Sequence, residues 1–282
     1  MIEASDARAA NAYWGRDGLE RAILDALVAA GKDAHALTVH DLAPADQFHG
    51  GGKKATDRLA RLAGLRPGLR VLDVGGGLGG PARTLATEFG CHVTVVDLTE
   101  SYVRAGRALT ARIGLAARVT HRIGDAMALD VDAGAFDVVW TQNSGMNIAD
   151  KERLYAGFVR VLRPGGLLVL QEPMAGPVQP VVFPVMWARD GSTNFLRTPD
   201  EMRALIEAVG FHARAWEDVT LELGGASSGA AVPAHSIQRL VMGDGLDEIT
   251  RAGQRNRDER RIVMIQAVFE HGARARSSAE GA

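Results

Sequence analysis

The run Val71-Leu72-Asp73-Val74-Gly75-Gly76-Gly77-Leu78-Gly79-Gly80 constrains this chain more than any other stretch of it. An apolar strand carries an acid near its end, then meets glycine at alternate positions (Gly75, Gly77, Gly79) before a helical segment begins at Pro81. Glycine lets the backbone turn sharply and lets a ligand lie against main-chain atoms that a Cβ would block. The combination predicts the first strand-to-helix turn of an open α/β sheet, where ligands bind in the crevice at the carboxyl ends of the strands. A tight turn chosen for packing alone is the competing explanation, and further residues must separate the two.

The flanking pattern supports a parallel sheet covered by helices. Strands are predicted at Arg70–Val74, His92–Asp97, Arg118–Ile123, Phe136–Thr141, Leu167–Gln171, Ala213–Thr220 and Ile262–Phe269. Helices are predicted at Pro81–Phe89, at Glu100–Ile113 and from Asp150 to Leu162. In Thr198-Pro199-Asp200-Glu201, Thr198 should cap a helix, Pro199 occupy its first turn and Glu201 reach back. Residues 1–60 read as a helical cap containing a polar turn, His40–Gly52. The α/β domain covers 61–271, with lid segments at 173–197 and 224–260, and 272–282 read as a disordered tail.

Composition narrows the functional classes. The 282 residues carry a formal net charge of −2 with acids and bases interleaved, which argues against a grip on nucleic acid or on an anionic membrane. One cysteine, Cys91, permits no intramolecular disulfide and suits a reducing cytoplasm. No apolar run reads as a signal peptide or membrane span.

Two further acids turn the glycine turn into a nucleoside site. Asp97 ends the second strand, 24 residues after Asp73, where a carboxylate can accept from both hydroxyls of a ribose. After the third strand, Asp125 can accept from an adenine amine while the Ala126 amide donates to a ring nitrogen. Leu98 and Met127 can sandwich the base. A nicotinamide dinucleotide would bring its diphosphate against Asp73, and like charge disfavours that. An acid there suits a ligand with an ammonium group, such as the methionine end of S-adenosylmethionine.

With Asp73, Asp97, Asp125, Phe136-Asp137-Val138-Val139 and Leu162-Arg163-Pro164-Gly165-Gly166 in order, the chain resembles the class I S-adenosylmethionine-dependent methyltransferases over roughly residues 65–172. Through Asp46-Gln47-Phe48-His49 and Glu172-Pro173-Met174 it is similar, more loosely, to the sarcosine/dimethylglycine N-methyltransferases. The resemblance implies a Rossmann-like sheet of seven strands, the last antiparallel. It also implies that Gly75, Gly77 and Gly79 line the methionine moiety, Asp97 holds the ribose, Asp125 and Ala126 hold the adenine, and Gln142 flanks the methyl. The product would be S-adenosylhomocysteine.

Methyl transfer from a sulfonium is an in-line displacement by an already activated reagent. Alignment, which can supply about 7–11 kcal/mol, therefore outranks a general base worth roughly 10²–10⁴-fold. A base is needed only for an acceptor that arrives protonated, and His49 is the candidate. Tyr13, Trp14, Phe48, Met146, Phe183 and Trp187 are the candidate acceptor contacts, with core packing as the alternative reading. Asp17 and Glu172 could orient an acceptor amine. His35, His40, Asp46 and His49 have no recognised metal-ligand spacing, so no metal is expected. The acceptor should be a small molecule, with N-methylation ahead of O- or C-methylation. Cofactor use without methyl transfer, as in a cyclisation or rearrangement, is the rival reading. The sequence leaves room for a homodimer.

Overall fold

A computed structural model describes residues 13–224 and 236–272. Among them, seven strands form one sheet in the order β3-β2-β1-β4-β5-β7-β6. The strands are β1 (Arg70–Val74), β2 (His92–Asp97), β3 (Val119–Ile123), β4 (Phe136–Gln142), β5 (Leu162–Ala175), β6 (Phe211–Asp218) and β7 (Ile262–His271). β1 to β5 pair in parallel, and β7 runs antiparallel between β5 and β6. The order reverses at β1, so β1 and β4 diverge there and open the crevice.

Strand alternation divides the core between two faces. Leu72, Val74, Val139, Leu168 and Leu170 pack against Leu154, Tyr155 and Phe158 of α6 (Lys151–Val161) and against Met202 and Ile206 of α7 (Pro199–Ala208). Val71, Val93, Val95, Val138, Trp140 and Val169 pack against Leu59 and Ala60 of α3 (Gly52–Leu62) and Ala82 and Leu85 of α4 (Gly80–Glu88). A third cluster joins α1 (Leu19–Ala29) and α2 (Val39–Asp46) to Tyr102 and Leu109 of α5 (Glu100–Arg112) and to α9 (Ile237–Met242). The short α8 (Thr220–Gly224) precedes residues outside those described, and α10 (Leu246–Asp258) leads into β7.

Several boundaries move relative to the sequence expectation. The polar turn His40–Gly52 is helical as far as Asp46, because Thr38 and Asp41 form a reciprocal capping box that starts α2. β5 begins at Leu162, which pairs with Phe136, and runs on through Glu172-Pro173-Met174, held by β7. Gln142 closes β4 instead of following it. β6 starts at Phe211, and Thr220 belongs to α8. The Thr198–Glu201 box is present as expected, with Glu201 Oε2 accepting the Thr198 amide at 2.8 Å.

The stretch expected as a first lid starts at Gly176, since its first three residues complete β5. Its backbone is fastened to the end of α10. Asn256, 1% exposed, accepts the Val182 N–H at 2.8 Å and donates to the Val182 carbonyl at 2.7 Å. Gly176 donates to Arg261 O, and Arg261 donates to Pro180 O. The expected tail, apart from Gly272, and most of the Gly/Ala/Ser linker lie outside the described residues.

Candidate active site

The site assembles on β1. Val71 to Val74 bury their side chains on alternate faces, and the chain then turns through Gly75 at φ +70°. A Cβ on Gly75 would stand 2.4 Å from the Cβ of Ser144, so the turn and the loop after β4 are in contact. Gly79, also left-handed, caps α4, and a Cβ there would meet His121 Cε1 at 2.4 Å. Both positions therefore need glycine for backbone conformation and for space.

Asp73 sits beneath this turn, 1% exposed, and its Oδ2 has no hydrogen-bond partner among the described residues. Burial, with the Asp97 charge second, pushes its carboxyl up to about 8. An uncompensated carboxylate of this kind calls for a cation. Asp97 Oδ2 accepts the Gly77 amide at 2.9 Å and Oδ1 accepts the Thr99 amide at 2.8 Å, which holds the carboxylate at the mouth of the turn. The carboxylate keeps acceptor capacity for a ligand hydroxyl. Burial raises this carboxyl as well, although three hydrogen bonds oppose it. Asp125 caps the short 3₁₀ turn Ala126–Ala128 by accepting the Met127 amide at 2.8 Å. Leu98, Asp125, Ala126 and Met127 are all half-buried, and Ala126 and Met127 also pack on the first core cluster. The orphaned Asp73 oxygen, the glycine cradle and the Asp97 lone pairs fit an adenosyl amino acid: cation partner, close backbone approach and diol acceptor in one crevice.

Gln142 belongs to a buried polar chain that sequence reasoning did not find. Its Oε1 accepts the Trp140 indole N–H at 3.0 Å, and its Nε2 lies 3.4 Å from His49 Nδ1. Gln142 donates to Gln171 at 3.4 Å, and Gln266 extends the chain from Gln171 at 2.8 Å to the Arg58 guanidinium at 2.6 Å. His49 is 6% exposed, and both ring nitrogens are engaged: Nδ1 by Gly50 O at 3.2 Å, Nε2 by Gln47 and by Thr56, each at 3.1 Å. Burial drags its pKa down to about 4, with a smaller opposing pull from Gly50. The expectation that His49 stands at the cofactor mouth as a base is therefore corrected. It is an internal, neutral imidazole whose ring nitrogens are engaged by protein groups.

The expected acceptor residues form two groups joined at Trp14. Met146 and Trp187 are buried with Val181 and Val185, and Trp187 donates to Asn194 at 2.8 Å, so packing accounts for much of both. Phe183 is half-buried against the same cluster. Tyr13, Trp14 and Phe48 meet edge to face, with centroids 4.7 and 5.5 Å apart. Trp14 touches both groups, and the Tyr13 hydroxyl donates to Met186 O at 3.3 Å. Asp17 is exposed and faces Arg104. Tyr102 was missed. It is 7% exposed on α5, its hydroxyl has no partner among the described residues, and its ring edge lies 3.6 Å from where a Gly77 Cβ would stand. Glu172 is buried too, and its Oε2 likewise has no partner among the described residues. Asp46 is committed to Arg83 at 2.8 Å, both of them buried.

Comparison with known proteins gives the arrangement a context. Residues 71–166 match the family model described as a methyltransferase domain. The chain is 32% identical over 209 residues to the sarcosine/dimethylglycine N-methyltransferase of Halorhodospira halochloris, covering 70% of this chain and 71% of that protein. It is 35% identical over 132 residues to the glycine/sarcosine/dimethylglycine N-methyltransferase of Actinopolyspora halophila, which is 47% of this chain and 23% of that much longer protein. The fold is shared with phosphoethanolamine N-methyltransferase 2 of Haemonchus contortus, solved with S-adenosyl-L-methionine. The TM-score is 0.67 at 21% identity, over 84% of this chain and 58% of that one.

Proposed function

The chain belongs to the S-adenosylmethionine-dependent methyltransferases, and from that premise we propose that it moves a methyl group onto a nitrogen of a small-molecule acceptor. The observation that carries this reading is the Asp73 oxygen that has no partner among the described residues, under the glycine turn with Asp97 beside it, a pair that can meet an ammonium and a ribose. When bound, S-adenosylmethionine supplies a methyl group activated by its sulfonium. Asp73 would hold the ammonium end, Asp97 the ribose hydroxyls, and Asp125 with the Ala126 amide the adenine, between Leu98 and Met127. Gly75, Gly77 and Gly79 would let the amino-acid end lie on the backbone. Gln142, with its oxygen fixed by Trp140, would bound the methyl side.

Nitrogen is favoured because the relative matched over 209 residues is named an N-methyltransferase, and because the buried Glu172 leaves one carboxylate oxygen uncommitted, among the described residues, next to the loop that touches Gly75. Tyr13, Trp14, Phe48 and Phe183 would exclude water from the acceptor, with Met146 and Trp187 behind them. His49 enters as a group that steadies Gln142. A cytoplasmic setting agrees with the one buried thiol, Cys91, and no described helix is long and apolar enough to cross a membrane.

The test is incubation with methyl-labelled S-adenosylmethionine and a panel of primary, secondary and tertiary amines, monitored by mass spectrometry. Methylated amine and S-adenosylhomocysteine should appear in equal amounts. Turnover of an acceptor without release of S-adenosylhomocysteine would instead establish a cofactor-retaining rearrangement. Absence of S-adenosylhomocysteine binding in titration calorimetry would remove the reading altogether.

A further inference from the structure

The loop that joins β4 to α6 is gripped from below by two buried side chains of opposite charge. Glu172, on β5, accepts the Gly145 N–H at 2.9 Å, the Ser144 N–H at 3.1 Å and the Thr141 hydroxyl at 3.3 Å, all on Oε1. Lys151, the first residue of α6, donates to the carbonyl of the same Gly145 and, at 2.7 Å, to that of Ile148. The two side chains are 3% and 2% exposed. Among the described residues they make no direct ion pair, so carboxylate and ammonium meet through the peptide groups on either side of Gly145.

The gripped loop borders both halves of the site. Ser144 occupies the space a Gly75 side chain would take, and its hydroxyl donates to Val74 O at 3.3 Å. Two residues on, Met146 is buried with Val181, Val185 and Trp187, and its carbonyl accepts the Phe195 N–H at 3.0 Å. Any slack at Gly145 is therefore transmitted to the glycine turn on one side and to the acceptor-side cluster on the other. Hydrogen bonds to ionised groups are roughly twice as strong as neutral ones, and here they act on the amide side and the carbonyl side of one residue.

We propose that Lys151 and Glu172 are positioning residues that clamp Gly145 from both sides and so fix the height of this loop over the methyl-transfer site. The proposal rests on the functional reading above for its catalytic consequence, while the clamp itself is a statement about the loop. The ammonium is what makes it sensitive to pH. Burial brings Lys151 down to about 8, with Glu172 and Glu152 opposing and Arg197 assisting. Glu172 is raised by burial and held down by the Gly145 and Ser144 amides and by Lys151, and Tyr155 is the other titratable group beside it. Asp150 is occupied in capping α6 through the Arg153 amide.

The experiment is amide hydrogen exchange on the intact protein, corrected for intrinsic rates, from pH 6.5 to 9.5, in wild type, Lys151→Met and Lys151→Arg. It is paired with S-adenosylhomocysteine affinity and with kcat and KM for a methylated acceptor. In Lys151→Met, protection at Ser144 and Gly145 should fall about tenfold at pH 7 while the amides of β5 and β7 keep theirs. S-adenosylhomocysteine affinity should stay within about threefold and kcat should fall more than KM rises. Wild type should lose loop protection and kcat together on passing pH 8. Lys151→Arg, whose guanidinium does not titrate there, should keep both. Unchanged protection in Lys151→Met, or the same alkaline limb in Lys151→Arg, overturns the clamp. If no acceptor is methylated by wild type, the functional reading fails, and the exchange data still decide the clamp.

Discussion

Replacing Asp73 by asparagine should make the ligand-free protein more stable at neutral pH and less stable relative to wild type as the solution is acidified. The carboxyl is 1% exposed, has one oxygen with no partner, and is pushed up from 3.8 to about 8. Because the folded pKa of this acid lies above the unfolded one, the folded state holds a proton that the unfolded chain gives up. Stability attributable to the group is therefore intact below pH 3.8, falls as pH rises, and stops falling above pH 8. Within that window the slope is about 1.4 kcal/mol per pH unit. Between pH 5 and pH 7, wild type should lose about 2.7 kcal/mol that Asp73→Asn does not, equivalent to roughly 5–10 °C in Tm for a chain of this size. Urea unfolding of both proteins at pH 5, 6 and 7 measures the difference, and any pH-independent penalty for a buried amide drops out of the comparison. Calorimetry in buffers of differing ionisation enthalpy supplies the second half. Binding of S-adenosylhomocysteine at pH 7 should release close to one proton in wild type and none in the variant, since an arriving ammonium ionises the carboxyl. Parallel pH–stability curves, or equal proton release, would refute the reasoning.

Three other outcomes follow from the same geometry. Arg83→Met should cost about 3–5 kcal/mol in urea unfolding, because Asp46 is left buried and already has one oxygen unpaired; adding Asp46→Leu should recover most of it. Asp97→Ala should weaken S-adenosylhomocysteine by roughly 10²–10⁴-fold in calorimetry, the loss of two hydrogen bonds to a charged acceptor at about 1.5–3 kcal/mol each, with a smaller effect on folding. His49 carries a pKa lowered from 6.5 to about 4, so its contribution to stability is intact above pH 6.5 and is lost as pH falls toward 4. Over that interval His49→Gln should lose about 3 kcal/mol less than wild type in urea unfolding, and wild-type kcat should show no limb near pH 6.5 from this residue.

How much of this was legible before the chain was folded depended on distance along it. The glycine turn and the Thr198–Glu201 box lie within ten residues, and their chemistry is complete in those residues. The strands of the parallel sheet announced themselves as short apolar runs. The Thr38–Asp41 box is equally local but went unrecognised, and the residues from His40 on read as a polar turn although α2 runs to Asp46 with Pro44 inside it. The bonds that organise the site are of another kind. Glu172 reaches Gly145 across 27 positions, Asp46 reaches Arg83 across 37, and Gln142 reaches His49 across 93. A buried carboxylate and a solvated one are the same letter in a sequence; only packing tells them apart. For that reason His49 read as a base at the cofactor mouth, while Lys151 and Tyr102 were not singled out.

The paired hydrogen bonds between Asn256 and the Val182 backbone have an evolutionary consequence. A side chain on a distant helix imitates the edge of a strand, and the segment bordering the aromatic cluster is held at Val182 by that one amide. Lineages drifting at position 256 would acquire a differently shaped chamber with every residue of the chamber itself unchanged, so the breadth of compounds accepted could diverge through a site that no inspection of the chamber would single out.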